Sequence, residues 1–143
     1  YHRCKRRVEK MNITIEPMKI GPITNEQLKQ YAEASGDHNP IHLDDDIARK
    51  AGLSGRIAHG MLSMGYLARQ ADRAVAAIAT EARKKAHLHS IQTRFKAMTF
   101  PGDVITITAM VRAGTSQGEW LVALEAKNQK GEVTTQGEAK VLS

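Results

Sequence analysis

Asp37 and His42 stand five residues apart in the stretch Ala34-Ser-Gly-Asp-His-Asn-Pro-Ile-His42. A carboxylate can accept a proton, and an imidazole can orient or relay one near neutral pH, so the pair has the makings of acid–base chemistry. In a regular helix the two side chains fall on different faces, and in a flat strand they point opposite ways. Only a folded loop brings them together. The segment has the residues for one: Gly36 frees the backbone before Asp37, while Pro40 lacks an N–H and pushes Asn39 away from helical geometry. The plainer alternative is a turn that does no more than end a helix.

Gly60 is the second candidate, in His59-Gly-Met-Leu-Ser-Met-Gly-Tyr-Leu67. In the first turn of a helix its N–H has no intrahelical partner, and no side chain blocks approach. Such a donor suits a carbonyl oxygen that becomes negative during a reaction. The alternative is a glycine needed only for packing.

The elements that must position these residues follow from the pattern around them. Residues 13–23 are short, mixed and apolar, broken by Pro17, Gly21 and Pro22, which predicts an opening edge strand and a turn. Thr24-Asn-Glu-Gln27 has the form of a capping box, and Leu28, Tyr31, Ala32 and Ser35 then give a helix one face. Gly36 ends it, so Asp37 emerges where a helix stops. Asp44, Asp45 and Asp46 precede Arg49, Lys50 and Gly52, which predicts a short helix with charges opposing its dipole rather than a calcium loop. A long helix follows from Gly60, with Leu62, Tyr66, Ala68, Ala71, Val75, Ile78 and Ala82 as its inner stripe, ending in the basic run up to Lys85. Strand patterns cover 90–97, 104–111, 120–127 and 133–141, with turns at Phe100-Pro-Gly-Asp103 and Asn128-Gln-Lys-Gly131. Trp120, Val122, Leu124 and Ala126 alternate with wetter positions, as in antiparallel strands with one face on a core. The result is an α+β chain. His87 and His89 read as surface histidines, with no nearby carboxylate or cysteine to complete a metal site.

The 143 residues suit one domain, at 11–143. Aromatics are only 4%, so the core rests on Ile, Leu, Val, Met and Ala. No apolar run approaches the length needed to span a bilayer, and no membrane role is expected. The single cysteine, Cys4, excludes an internal disulfide framework and a cysteine-based zinc site, and fits a cytoplasmic setting. The net charge of +6 is concentrated in residues 1–10, where five bases meet one acid, leaving +2 for the rest. Residues 1–10 are expected to be an appended remnant or a disordered leader. A basic arm for nucleic acid or acidic lipid is the alternative, but no aromatic platform or second basic patch accompanies it, and no nucleic-acid partner is expected.

The segment Ser35-Gly-Asp-His-Asn-Pro-Ile-His42, followed by Ile57-Ala-His-Gly-Met61 and by Arg94-Phe-Lys-Ala-Met-Thr-Phe-Pro-Gly-Asp103, resembles the signature of MaoC-like (R)-specific enoyl-thioester hydratases and (3R)-hydroxyacyl-thioester dehydratases. The resemblance covers essentially all of 11–143. It implies a hot-dog fold, a curled antiparallel sheet wrapped around one long central helix. It also implies a hydro-lyase of fatty-acid metabolism that adds water reversibly to a trans-2-enoyl thioester. Asp37 and His42 would be the catalytic pair holding one water, Gly60 N–H would bind the thioester carbonyl, and Asn39 and His59 would support them. No cofactor and no metal are implied. A metal site from Asp37, His42 and His59 is a further alternative, and their spacing matches no standard site. The implied substrates ride on CoA or acyl carrier protein, with Arg56, Arg94 and Lys96 as candidate phosphate contacts. The implied assembly is a homodimer, or a heterodimer with a second hot-dog chain. In one respect the chain departs from some members of the family, with Ala68 where they carry a helix serine. The rival readings are a hot-dog acyl-thioesterase and a non-catalytic acyl-thioester-binding subunit.

Overall fold

A computed structural model describes residues 13–143; the expected leader at 1–10 lies outside the described residues. The chain runs β1 (Met18–Ile20), α1 (Asn25–Ser35), a single 3-10 turn (Pro40–His42), α2 (Asp45–Lys50), α3 (Gly60–Ala82), β2 (His87–Phe95), β3 (Ile105–Ala113), β4 (Glu119–Lys127) and β5 (Val133–Leu142). The five strands form one antiparallel sheet in the order β1-β3-β4-β5-β2. The sheet curls around α3, which packs against β2, β3, β4 and β5. This is the hot-dog architecture.

The strands form where alternation demanded them. Trp120, Val122, Leu124 and Ala126 are buried, and they pair in register with Ala113, Val111, Ala109 and Ile107 of β3. β2 starts earlier than the apolar pattern predicts, at His87, and its register with β5 shifts between Leu88 and Ser90. His87 and His89 are both exposed.

The stripe that α3 turns to the sheet differs from the predicted one. Leu67, Gln70, Ala71, Ala74 and Ile78 are its buried residues. Ala68 is only partly covered, and Leu62 and Tyr66 reach a smaller cluster formed by Ile23, Leu28 and Ala58. Gln70 was hidden from a hydropathy pattern because it is polar. Its amide nitrogen donates to the Glu16 carbonyl at 2.8 Å and the Ile107 carbonyl at 3.1 Å, and so it is satisfied inside the core. Each fully buried Leu or Ile here contributes about 1.5–3 kcal/mol. The close approach of helix and sheet depends on Gly137, where a Cβ would stand 3.1 Å from Leu67 Cδ2 and 3.0 Å from the Gln92 carbonyl oxygen.

Candidate active site

The loop that carries Asp37 is built from three successive local bonds. Helix α1 starts at Thr24, whose hydroxyl accepts from Gln27 N–H at 3.0 Å. The reciprocal half of the expected capping box is absent, because the Gln27 side chain bonds the Tyr66 hydroxyl on α3 instead. At its other end Gly36 takes the left-handed conformation with φ 77°, and its N–H donates to the Ala32 carbonyl. Beyond it, Ser35 Oγ accepts from Asp37 N–H, Asp37 Oδ1 accepts from Asn39 N–H, and Asn39 Oδ1 accepts from Ile41 N–H, each at 3.2 Å. These turns, in which a short polar side chain bonds the backbone two residues on, fold the segment tightly enough to bring residue 42 back toward residue 37. They also occupy Asp37 Oδ1 and leave Oδ2 facing His42.

His42 ends the 3-10 turn and is 7% exposed. Its Nδ1 lies 2.7 Å from the Ile57 carbonyl oxygen. A carbonyl can only accept, so Nδ1 carries the proton, and in the neutral ring Nε2 presents a lone pair. That lone pair lies 4.0 Å from Asp37 Oδ2. The two atoms are both acceptors and are too far apart to bond each other directly. A single hydroxyl-bearing oxygen set between them reaches both at hydrogen-bond distance.

Behind the pair, His59 stacks on the His42 ring with centroids 3.9 Å apart and planes at 25°, and its other neighbour is Tyr31 at 4.7 Å. His59 Nε2 lies 3.0 Å from the Asp37 carbonyl oxygen, to which it must donate. His59 is 2% exposed, and its Nδ1 has no partner among the described residues. Donor atoms of Asp37, His42 and His59 fall within 4.8 Å of one another. One nitrogen of each ring is already committed to a carbonyl, His42 Nδ1 to Ile57 and His59 Nε2 to Asp37.

Gly60 is the first residue of α3, directly after His59. Its N–H has no partner among the described residues, and it is exposed. The loop before it is anchored on both sides: Ala58 N–H donates to the Thr99 carbonyl at 2.8 Å, and Ile57 N–H donates to the Ile41 carbonyl at 3.1 Å. The second bond runs between the chain segments that also share the His42–Ile57 contact, so the acid–base loop and the helix start are tied into one unit. The overhanging segment between them is closed by Asp45, which accepts from Arg56 N–H at 2.9 Å and Nε at 3.2 Å. The Arg56 bonds, backbone first, hold the Asp45 carboxyl below its ordinary pKa. The other two acids of the triplet are likewise accounted for. Asp44 caps α2 by accepting from Asp46 and Ile47 N–H, and Asp46 pairs with Arg49 at 3.2 Å.

Among the candidate phosphate contacts, Arg56 is thus engaged by Asp45. Arg94 lines a depression of about 460 Å³ on the outer face of the sheet, with Met110, Glu125, Gln136 and Glu138, away from α3. Three neighbours of the site were missed from sequence. The Ile57 carbonyl meets His42, and Tyr31 meets His59, through long-range packing. Phe95 lies against Gly60, with two of its ring carbons 3.2 Å from where a Cβ would stand. Only the adjacency of Phe95 to the Pro-Gly turn motif hinted at its place.

A loop-borne acid and base tied to the head of the long helix, inside a curled antiparallel sheet, place the chain in the hot-dog class. Residues 8–134 match the model of the MaoC like domain, and the chain belongs to that family of hydratases and dehydratases. Among its relatives is the (R)-specific enoyl-CoA hydratase of Rhodospirillum rubrum, 29% identical over 84% of this chain and 79% of that protein. Another is Fatty acid synthase 2 of Mycosarcoma maydis, 35% identical over 83% of this chain. The chain spans about 3% of the length of that synthase. The R-hydratase PhaJ1 of Pseudomonas aeruginosa superposes with a TM-score of 0.70 at 26% identity, covering 95% of this chain and 84% of that one.

Proposed function

We propose that the chain is an (R)-specific enoyl-thioester hydratase, working in reverse as a (3R)-hydroxyacyl-thioester dehydratase, with Asp37 and His42 as its acid–base pair and Gly60 as its carbonyl donor. The observation that carries this reading is the 4.0 Å separation of two facing acceptors, His42 Nε2 and Asp37 Oδ2. A water between them donates both its hydrogens and is left with lone pairs free to attack. As its oxygen bonds C3 of a trans-2-enoyl thioester, one of its protons passes to the pair, and a proton is returned to C2. The electrons of the C2–C3 double bond move toward the thioester carbonyl in the interval. The Gly60 N–H bond to that oxygen therefore strengthens toward the transition state, which is the condition for it to raise the rate. In the reverse direction the same atoms protonate the departing 3-hydroxyl and accept the C2 proton.

Asn39 and His59 serve the pair in this scheme. Asn39 closes the turn that aims Asp37, and His59 holds the Asp37 backbone and the face of the His42 ring. The substrate is a thioester of CoA or acyl carrier protein, and the working unit is a homodimer or a pair with a second hot-dog chain. The test is hydration of crotonyl-CoA, followed by loss of the conjugated enoyl-thioester absorbance, with free thiol measured in parallel. Hydration without thiol release is the expected result. Thiol release without hydration replaces this reading with a thioesterase, and neither reaction replaces it with a binding subunit.

A further inference from the structure

We propose that Phe95 is a positioning residue that holds the substrate's thioester group on the Gly60 N–H. The proposal rests on the hydratase reading of the site and adds to it a residue from the sheet. Phe95 is the last residue of β2 and pairs with Thr135 of β5, on the inner face of the sheet, the same register row as buried Ile107 and Ala126. Its ring therefore projects toward α3 and meets it at its first residue. A Cβ built on Gly60 would lie 3.2 Å from Phe95 Cε1, 3.2 Å from Cζ and 3.4 Å from Cδ1. The ring thus occupies the space that a side chain at position 60 would need, and it closes one side of the approach to the N–H.

The ring is nonetheless 53% exposed, so much of its apolar surface faces open space beside that donor. Met61, next to Gly60, is 57% exposed, and Met98, three residues beyond Phe95, is 48% exposed. A thioester suits this place: its carbonyl needs a donor, which the Gly60 N–H supplies, and its sulfur gains from contact with an aromatic ring, which Phe95 presents. In this arrangement an acceptor lies about 2.9 Å from the Gly60 nitrogen and the attached carbonyl carbon and sulfur rest against the Phe95 ring. Phe95 then restricts the carbonyl to the orientation in which C3 reaches the Asp37–His42 gap. Without the ring the thioester still binds but samples orientations that miss the donor.

The test measures carbonyl polarisation directly. In an Asp37→Asn background, which slows turnover, 2,4-hexadienoyl-CoA is bound and its absorbance difference spectrum recorded with Phe95, Phe95→Leu and Phe95→Ala. A hydrogen-bonded, polarised carbonyl moves the dienoyl band to the red. The Phe95→Ala variant should lose more than half of that shift while still binding the ligand, and Phe95→Leu should recover part of it. With Asp37 restored, Phe95→Ala should lower kcat for crotonyl-CoA by about tenfold with a smaller change in KM, the signature of misplacement rather than lost affinity. A full red shift and near-normal kcat in Phe95→Ala overturn the proposal and leave the hydratase reading standing. A protein with Phe95 intact that binds the thioester without any red shift overturns the Gly60 assignment and this proposal with it. If Phe95→Ala fails to fold, Phe95→Leu carries the same two measurements.

Discussion

His42 Nε2 and Asp37 Oδ2 face each other across 4.0 Å while His42 Nδ1 is committed to the Ile57 carbonyl at 2.7 Å. The second contact gives the first its meaning. It fixes the tautomer, turns a lone pair toward the carboxylate and keeps the ring from rotating to bond it directly. Replacing Asp37 by Asn should therefore do more than remove a negative charge. An amide NH2 at this position can donate to His42 Nε2, close the gap and exclude the water. Asp37→Asn and His42→Ala are each expected to lower kcat for crotonyl-CoA by about 10²–10⁴. The check is the enoyl-absorbance assay, with circular dichroism to verify the fold. Activity within a few-fold of the parent in either variant removes that residue from the chemistry.

Gly60→Ala keeps the backbone N–H, so on electronic grounds alone it should be harmless. The packing argues otherwise. The new methyl would stand 3.2 Å from two Phe95 ring carbons, tighter than ordinary contact, and the half-exposed ring can yield only by swinging outward. Thermal stability should then stay within about 2–4 °C of the parent, because the strain is released into solvent. Turnover should fall by about tenfold as the ring leaves its place. In a Phe95→Ala background the same substitution should cost much less, since the neighbour it displaces is gone. A double-mutant cycle on kcat measures this, and strict additivity would show that the two residues do not act through one contact.

How much of this was legible beforehand depended on how local the cause was. Thr24 and Gly36 announced the ends of α1, and Trp120 to Ala126 announced a half-buried strand, since caps and alternation are written in neighbouring residues. The Asp37–His42 loop was legible for the same reason: Ser35, Asp37 and Asn39 each bond the backbone two residues on. The Ile57 carbonyl that orients His42 was not, because nothing in either segment specifies that the chain returns to that point. Phe95 over Gly60 is a contact across 35 residues made by a strand end and a helix start. Gln70 was invisible for a different reason. A polar residue within an apolar stripe lowers the very signal used to find the buried face, and only the carbonyls it meets explain its burial.

The overhanging segment carries its own pH dependence. Asp45 accepts from Arg56 N–H and Nε, and these bonds lower its pKa in the folded chain. A carboxyl whose folded pKa is depressed stabilises the fold above its unfolded pKa, and loses that contribution as pH falls through the folded value. Asp45→Asn should therefore be less stable than the parent at neutral pH, with the difference shrinking below about pH 4. Denaturation midpoints across an acid series provide the measurement. A difference that persists unchanged at the acid end would mean that the carboxylate charge plays no part in closing the loop.

Gln70 separates stability from activity in the opposite sense. Its amide nitrogen bonds the carbonyls of Glu16 and Ile107, joining the opening segment to β3 through the helix, and its oxygen accepts from Arg73 at 3.1 Å. Gln70→Leu preserves much of the side-chain volume but withdraws the donor from a fully buried site. The buried Ile107 carbonyl loses that partner, a cost of about 1–3 kcal/mol, while the carbonyl of exposed Glu16 can turn to solvent. Gln70→Glu should be worse, since it sets an acceptor against two acceptors. Position 70 lies ten residues along α3 from Gly60, about 15 Å away along the axis, so neither change reaches Gly60. Urea midpoints should fall in the order parent, Leu, Glu, while kcat for crotonyl-CoA at low temperature stays within about twofold of the parent for Gln70→Leu. A Leu variant as stable as the parent would mean that the strand-to-helix bonds contribute nothing net. A Leu variant that folds but loses turnover would mean that the opening segment helps to shape the site.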